Sequence, residues 1–208
     1  MKKNDNRLRY RGFYRRNLPH IQPRDGILFI TYRLYHQLPE RIKEQINKIR
    51  KTKCGNSFEI IDNYLDLCKE GPKWLKDDRI ANVVRDNLLK MNKVQYELYC
   101  FCIMPNHVHV LLKPKIKFRN IPYSLAEIFR GHKGVTARKA NLILHRSGQF
   151  WHAERYDHYI RDDEDFYNIA WYIIMNPVKA KLVKHYREWK FTWIEKDLEY
   201  EMGLDMIE

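Results

Sequence analysis

Two histidines one residue apart, His107 and His109, are the first feature of this 208-residue chain that could do chemistry. On a strand, residues two apart project from the same face, so both imidazoles can reach one cation. Neutral imidazole binds borderline divalent metals well. Two protein ligands leave positions open for a third side chain, water and substrate oxygens, which is how a catalytic metal is held. An H-x-H alone is a weak signal, because a metal site needs a third ligand from elsewhere. Here the pair lies in an otherwise apolar run, HVHVLLK, where two unpaired imidazoles would be costly to bury. It also follows the turn chemistry of Pro105-Asn106, which predicts His107 near the end of a sheet, open to substrate.

The second feature is the segment DEDFYNIAWYIIM. Phe166, Ile169 and Ile173 form its helical core stripe, and at about 100° per residue Asp165, Tyr172 and Asn176 gather in a narrow arc beside it. Tyr172 and Asn176 are four apart and so neighbour each other. A phenol and a carboxamide brought against the histidine pair would supply a nucleophile and a third, oxygen ligand. Pro177 predicts that the helix ends near Asn176. With 14 tyrosines in the chain, ordinary packing at a helix edge would also explain Tyr172. Tyr167 projects about 140° away on the same helix, and Tyr156 and Tyr159 are rivals on the strand before it.

The elements that must position these residues are set by periodicity and turn signals. GILFITYRLY, 26–35, reads as a strand. Residues 36–78 read as an irregular insertion with one helical stretch around 41–50. An amphipathic helix is predicted over 79–91, with Ile80, Val83, Val84, Leu88 and Met91 at its spacing. Strands over 96–104 and 107–113 make a hairpin. Ser124 and Glu127 form a capping box opening a helix with Leu125, Ile128, Phe129, His132 and Val135 on one face. Arg130, Lys133, Arg138 and Lys139 are among its other residues. A bent strand over 150–160 precedes a helix capped by Asp162 or Asp163. The order predicts an α+β fold, with helices packed on an antiparallel sheet.

The formal charge is +13, unevenly spread: residues 195–208 hold six acids and one lysine, leaving +18 on the rest. Eight basic residues and one acid fall between Lys2 and Arg24. So basic a chain attracts polyanions. Its first 25 residues read as an arm in which aromatics and arginines, Arg15 and Arg16 among them, suit stacking on bases and pairing with phosphates, or equally as a disordered solubilising tail. Residues 26–194 read as the catalytic domain and 195–208 as an acidic tail. No run approaches a membrane span, and the basic N-terminus lacks a signal peptide's apolar core, which predicts a cytoplasmic protein. Monomer and homodimer both stay open. Cys100 and Cys102 share a strand face. They read as small buried residues, or, with the histidines, as a closed zinc-structural site.

MPNHVHVLLKP, then FWHAERYDHYIRDDEDF and YIIMNPVKAKLV, resemble the REP-associated tyrosine transposases, relatives of the single-strand insertion-sequence transposases of the HUH class. GPKWLKDDRIANVVRDNLL resembles that family's first-helix region, and the likeness runs from about Gly26 to about Trp193. Many members read F-W-Q where this chain has Phe150-Trp151-His152, a departure that bears on DNA preference rather than chemistry. The resemblance implies a ferredoxin-like core whose sheet carries His107 and His109. It places the catalytic tyrosine on Tyr172 and an amide ligand on Asn176, and implies Mg2+ or Mn2+; by ligand type alone, zinc would fit. The substrate would be single-stranded DNA with a hairpin, cut through a 5′-phosphotyrosine. Arg15, Arg16, Arg130, Lys133, Arg138 and Lys139 would be DNA contacts. A non-catalytic nucleic-acid-binding protein that keeps the fold is the alternative of another class.

Overall fold

The computed structural model describes residues 12–15, 19–22, 25–52, 57–67 and 70–204; residues 12–24 and 50–59 are described, where they are, by backbone alone. Arg16 and the end of the acidic tail lie outside these residues, as does the side chain of Arg15. Two short strands, β1 (Gly12–Arg15) and β2 (Pro19–Gln22), pair antiparallel within what reads in the sequence as an arm.

The core is a five-stranded antiparallel sheet. Its strands are β3 (Leu28–Arg33), β4 (Tyr96–Ile103), β5 (His107–Pro114), β8 (Tyr156–Tyr159) and β9 (Thr192–Ile194), in the order β8-β3-β5-β4-β9. Helix α3 (Asp78–Met91) links β3 to β4, and α4 (Leu125–Ile143) links β5 to β8. The first four strands thus follow the ferredoxin-like β-α-β-β-α-β plan, with β9 added at the β4 edge. A small hairpin, β6 (Ile116–Phe118) with β7 (Ile121–Pro122), leaves the end of β5.

Helices cover both faces, so the central strands read as continuous apolar runs rather than alternating ones. Leu28, Ile30 and Tyr32 of β3 and Val108, Val110 and Leu112 of β5 pack with α3 and α4. Phe29 and Leu111 face the other way, onto α5 (Asp163–Lys179). A bulge between Leu98 and Cys100 resets the alternation of β4. One extra residue reverses the facing of the rest of the strand. Phe101 and Ile103 therefore point to the α3–α4 side, and Cys100 and Cys102 to the α5 side.

Caps set the helix starts. Asp77 accepts from Arg79 N at 2.9 Å, Ser124 and Glu127 form the reciprocal capping box, and Asp162 accepts from Asp165 N at 2.9 Å. On α4 the buried position is Thr136, whose hydroxyl bonds the His132 carbonyl at 2.7 Å; Val135 faces solvent. The expected strand over 150–160 is shorter: Trp151 makes an isolated bridge to Leu34, and regular pairing begins at Tyr156.

Two expectations change here. Residues 36–78 carry two helices, α1 (Glu40–Thr52) and α2 (Ser57–Asp66), which share a small core of Ile42, Ile46, Tyr64 and Leu65. At Gly71 the chain turns back at φ +78°, where an added Cβ would lie 2.9 Å from the His36 ring; only glycine fits without strain. Helix α5 also runs past Pro177 to Lys179: the proline gives up one helical bond, and the N–H groups of Ala180 and Leu182 close the end on the carbonyls of Asn176 and Pro177, each at 2.9 Å. A short α6 (Lys196–Glu201) follows β9.

His132 couples the fold to pH. Its Nε2 lies 2.7 Å from the Tyr32 hydroxyl and its Nδ1 2.7 Å from Asn87 Oδ1. Burial, then the charge of Lys133, pushes it down to about 3. Between that value and the unfolded pKa of about 6.5 the unfolded chain binds the proton and the folded one does not, so stability falls as pH falls through this window. Melting curves of wild type and His132→Gln, which retains a donor and an acceptor, should diverge there. Wild type is expected to lose on the order of a few kcal/mol more.

Candidate active site

His107 and His109 sit side by side on β5 facing α5, and both are fully buried. The expectation of a histidine open at the sheet's end does not hold, because α2 packs over it. Asn106, in the hairpin turn, donates from Nδ2 to the Leu65 carbonyl of α2 at 3.0 Å. That bond fixes its amide orientation, so Asn106 Oδ1 accepts from His107 Nδ1 at 2.7 Å. The Nε2 of His107 is then the lone-pair nitrogen in the neutral ring. His109 Nδ1 lies 2.8 Å from the Thr31 hydroxyl of β3, its cross-strand neighbour. The two Nε2 atoms face each other at 2.8 Å. Such outer hydrogen bonds are how metal-ligating imidazoles are held.

Helix α5 brings Tyr172 and Asn176 to the pair. Tyr172 packs edge-on to His109, ring centroids 5.5 Å apart, and donates its hydroxyl to Asp62 Oδ2. Asn176 is fully buried, with Nδ2 3.2 Å from Asp66 Oδ1 and 3.3 Å from His109 Nε2. Among the described residues its Oδ1 has no hydrogen-bond partner. The third member expected in that arc, Asp165, lies elsewhere: at the start of α5 it accepts from Arg161 N and pairs with His158 at 3.0 Å. Tyr167 points away and donates to Glu201 at 3.2 Å.

Sequence reading missed the two carboxylates. Asp62 and Asp66 on α2 are 5% and 6% exposed. Asp66 Oδ1 is 3.5 Å from His107 Nε2 and 4.0 Å from His109 Nε2, and Asp62 Oδ1 is 3.8 Å from His109 Nε2. Lys179, two residues past Pro177, reaches Asp66 Oδ2 at 2.9 Å. The available signal was SFEIIDNYLD itself: two acids four apart on one helix face repel unless something cationic joins them.

Burial, then the neighbouring His107, holds His109 well below the usual imidazole range, so it is neutral, the metal-binding form. Burial pushes Asp62 up to about 6. Burial works the same way on Asp66, but the imidazoles of His107 and His109 and the Lys179 ammonium beside it hold it below the carboxylate range. Burial, then Asp62 and Asp66, raises Tyr172 far above the ordinary phenol range. The phenol therefore holds its proton in this surrounding.

These donors fit a divalent cation. One ligand atom from each of Asp62, Asp66, His107 and His109 lies within 4.8 Å of every other. Atoms about 2.1 Å from a common ion sit roughly 3 to 4 Å apart. The cysteines are not part of this group. Cys102 is opposite His109 in the register, but its sulfur packs 3.6 Å from Met104 Sδ and accepts from Thr192 at 3.5 Å.

Of the expected DNA contacts, Arg130, Arg138 and Lys139 are exposed on α4. Lys133 is not available in the same way: its ammonium lies 2.9 Å from the His152 carbonyl and over the Tyr32 ring. The β6–β7 hairpin, which sequence reading passed over, exposes Phe118 with the Arg119 guanidinium 5.1 Å from its ring centre. No helix among the described residues is long and apolar enough to cross a membrane.

No protein-family profile matches the chain. It is 28% identical over 112 residues to a Haemophilus influenzae protein named "Putative REP-associated tyrosine transposase". That match takes in 51% of this chain and 64% of that protein, so the chain spans somewhat under two thirds of the relative's length. Among solved structures it is similar to a REP-associated tyrosine transposase bound to a REP hairpin. There the TM-score is 0.51 at 17% identity, over 92% of this chain and 86% of that one. The sequence resemblance is thus joined by a likeness of fold.

Proposed function

We propose that this chain is a metal-dependent endonuclease and strand transferase acting on hairpin-forming single-stranded DNA, with Tyr172 as nucleophile. The observation that carries this reading is the convergence of Tyr172 and Asn176 on the facing Nε2 atoms of His107 and His109. The likeness to REP-associated transposases supports it.

His107, His109 and Asn176, its amide turned to present Oδ1, would hold Mg2+ or Mn2+. A cation bound there supplies positive charge to a non-bridging phosphate oxygen and to the departing oxygen. The remaining work falls to the side chains. The Tyr172 oxygen attacks phosphorus, and the bond from phosphorus to the 3′ oxygen breaks. The phosphate stays as a 5′-phosphotyrosine, and the other end leaves as a 3′-hydroxyl. The phenol loses one proton and the departing oxygen gains one, so the step is balanced and reversible. A 3′-hydroxyl returning to the phosphotyrosine rejoins the strand. Asp62 Oδ2, which accepts the phenol's hydrogen, orients Tyr172 for this.

DNA would lie against Arg130, Arg138 and Lys139 of α4, with Arg15 and Arg16 of the N-terminal region as further phosphate contacts. Phe118 with Arg119 suits stacking on an unpaired base. The test is cleavage of end-labelled single-stranded hairpins and of a perfect duplex, in Mg2+ or Mn2+. Hairpin strands should be cut, chelation should stop it, and binding should weaken steeply with salt. Equal cutting of the duplex would rule this reading out in favour of another nuclease class.

A further inference from the structure

The insertion between β3 and α3 places two carboxylates where the proposed ligand set needs only two imidazoles and an amide. Asp62 and Asp66 are almost wholly buried, against one nearby ammonium among the described residues, that of Lys179. Two buried anions and one cation leave a negative charge that protein interiors do not tolerate unpaired. Two further atoms point to what is missing. Asp62 Oδ1 and Asn176 Oδ1 are both buried, both oxygen acceptors, and neither has a hydrogen-bond partner among the described residues. Asp62 divides its work: Oδ2 takes the Tyr172 hydrogen, while Oδ1 lies 3.8 Å from His109 Nε2.

We propose that Asp62 and Asp66 are metal ligands, so that helix α2 completes a site of two histidines, two aspartates and Asn176 that loads a divalent cation before DNA arrives. This rests on the metal-dependent reading above and extends it. Two carboxylates harden a set of imidazoles toward Mn2+ and Mg2+. They also impose an order on binding. A scissile phosphate approaching the metal-free site would meet two carboxylates; with the cation in place it meets a positive centre. The carboxylates arrive from a segment separate from the sheet, so α2 ties metal binding to the seating of the insertion against Asn106 and His107.

The experiment is Mn2+ titration of the DNA-free full chain, read by loss of the free-ion electron paramagnetic resonance signal. It uses wild type, Asp62→Asn, Asp66→Asn, the double variant and His109→Gln. Removing one carboxylate should weaken Mn2+ binding at least about tenfold, in the range seen when support of a metal site is removed. The double variant should also lose the Mn2+-dependent rise in melting temperature. Asparagine keeps shape and removes a buried charge, so the variants should fold, which their metal-free melting curves check.

If the aspartate variants bind Mn2+ as wild type does while His109→Gln does not, the ligand assignment is wrong and the two-histidine reading stands. If wild type takes up Mn2+ only when a single-stranded hairpin is present, the loading order is wrong. If it binds Mn2+ under neither condition, the metal-dependent reading falls with it.

Discussion

Tyr172→Phe is expected to abolish the covalent protein–DNA adduct while leaving hairpin binding in place. The substitution removes one oxygen and keeps the ring, whose contacts hold it: Phe29 at 6.1 Å, His109 at 5.5 Å and the Lys179 ammonium at 5.0 Å from its centre. It also leaves Asp62 Oδ2 without its donor, a loss of about 1 to 3 kcal/mol of stability that a melting curve would register. That shift is small beside the chemical one. Without the nucleophile the step has no attacking group, and cleavage should fall on the order of 10³-fold or more. Tyr156→Phe, Tyr159→Phe and Tyr167→Phe should keep most activity; Tyr167 makes its bond to Glu201, away from the histidines. The readout is a denaturing gel with the label on the strand 3′ of the cut, which keeps the phosphate on the enzyme. An adduct formed by Tyr172→Phe would assign the attack to another residue.

The second large effect is expected at the histidines. His109→Ala or His107→Ala should end metal-dependent cleavage, lowering it at least about 100-fold, because each removes a nitrogen for which no neighbour substitutes. Both rings are buried, and His109 also stacks on Phe29 with centroids 5.6 Å apart, so alanine opens a cavity costing roughly 2 to 4 kcal/mol. His109→Gln retains volume and separates the two causes. If Gln restores the melting temperature but not cleavage, the loss is chemical. A variant that folds and cuts like wild type, with the same metal dependence, would remove the pair from the site.

Local periodicity controls the features that are legible in the sequence. The β4–β5 hairpin comes from Pro105-Asn106 and the apolar runs on either side, the α4 start from Ser124 and Glu127, and the shared face of His107 and His109 from strand alternation. The meeting of Tyr172 and Asn176 comes from helical spacing. Features that depend on packing between distant segments are not visible in this way. The insertion at 36–78 carries weak patterns, because its helices bury only a small core of their own. Its two acids therefore carry no signal of their own in the sequence, although α2 turns them inward onto β5. Asp165 illustrates the converse: its angular position matched Tyr172 and Asn176, yet it lies two turns away along the axis, where His158 and Arg161 claim it. Lys133 looks like any helix-surface lysine until the 152–154 segment folds over it. Cys100 and Cys102 share the histidines' side of the sheet, yet the group that could hold a metal among the described residues draws on α2 instead.

The tyrosine mechanism stands or falls on where the DNA is joined to the protein. Wild-type chain is incubated with Mn2+ and a single-stranded hairpin substrate, denatured, digested with nuclease and trypsin, and the residual nucleotide is mapped by tandem mass spectrometry. The segment between Arg161 and Lys179 contains both Tyr167 and Tyr172, so fragment ions between them decide the position. The mechanism predicts a nucleotide linked through its 5′-phosphate to Tyr172 and to no other tyrosine. Cleaved DNA with no protein-linked nucleotide, or a linkage at Tyr156, Tyr159 or Tyr167, would contradict it.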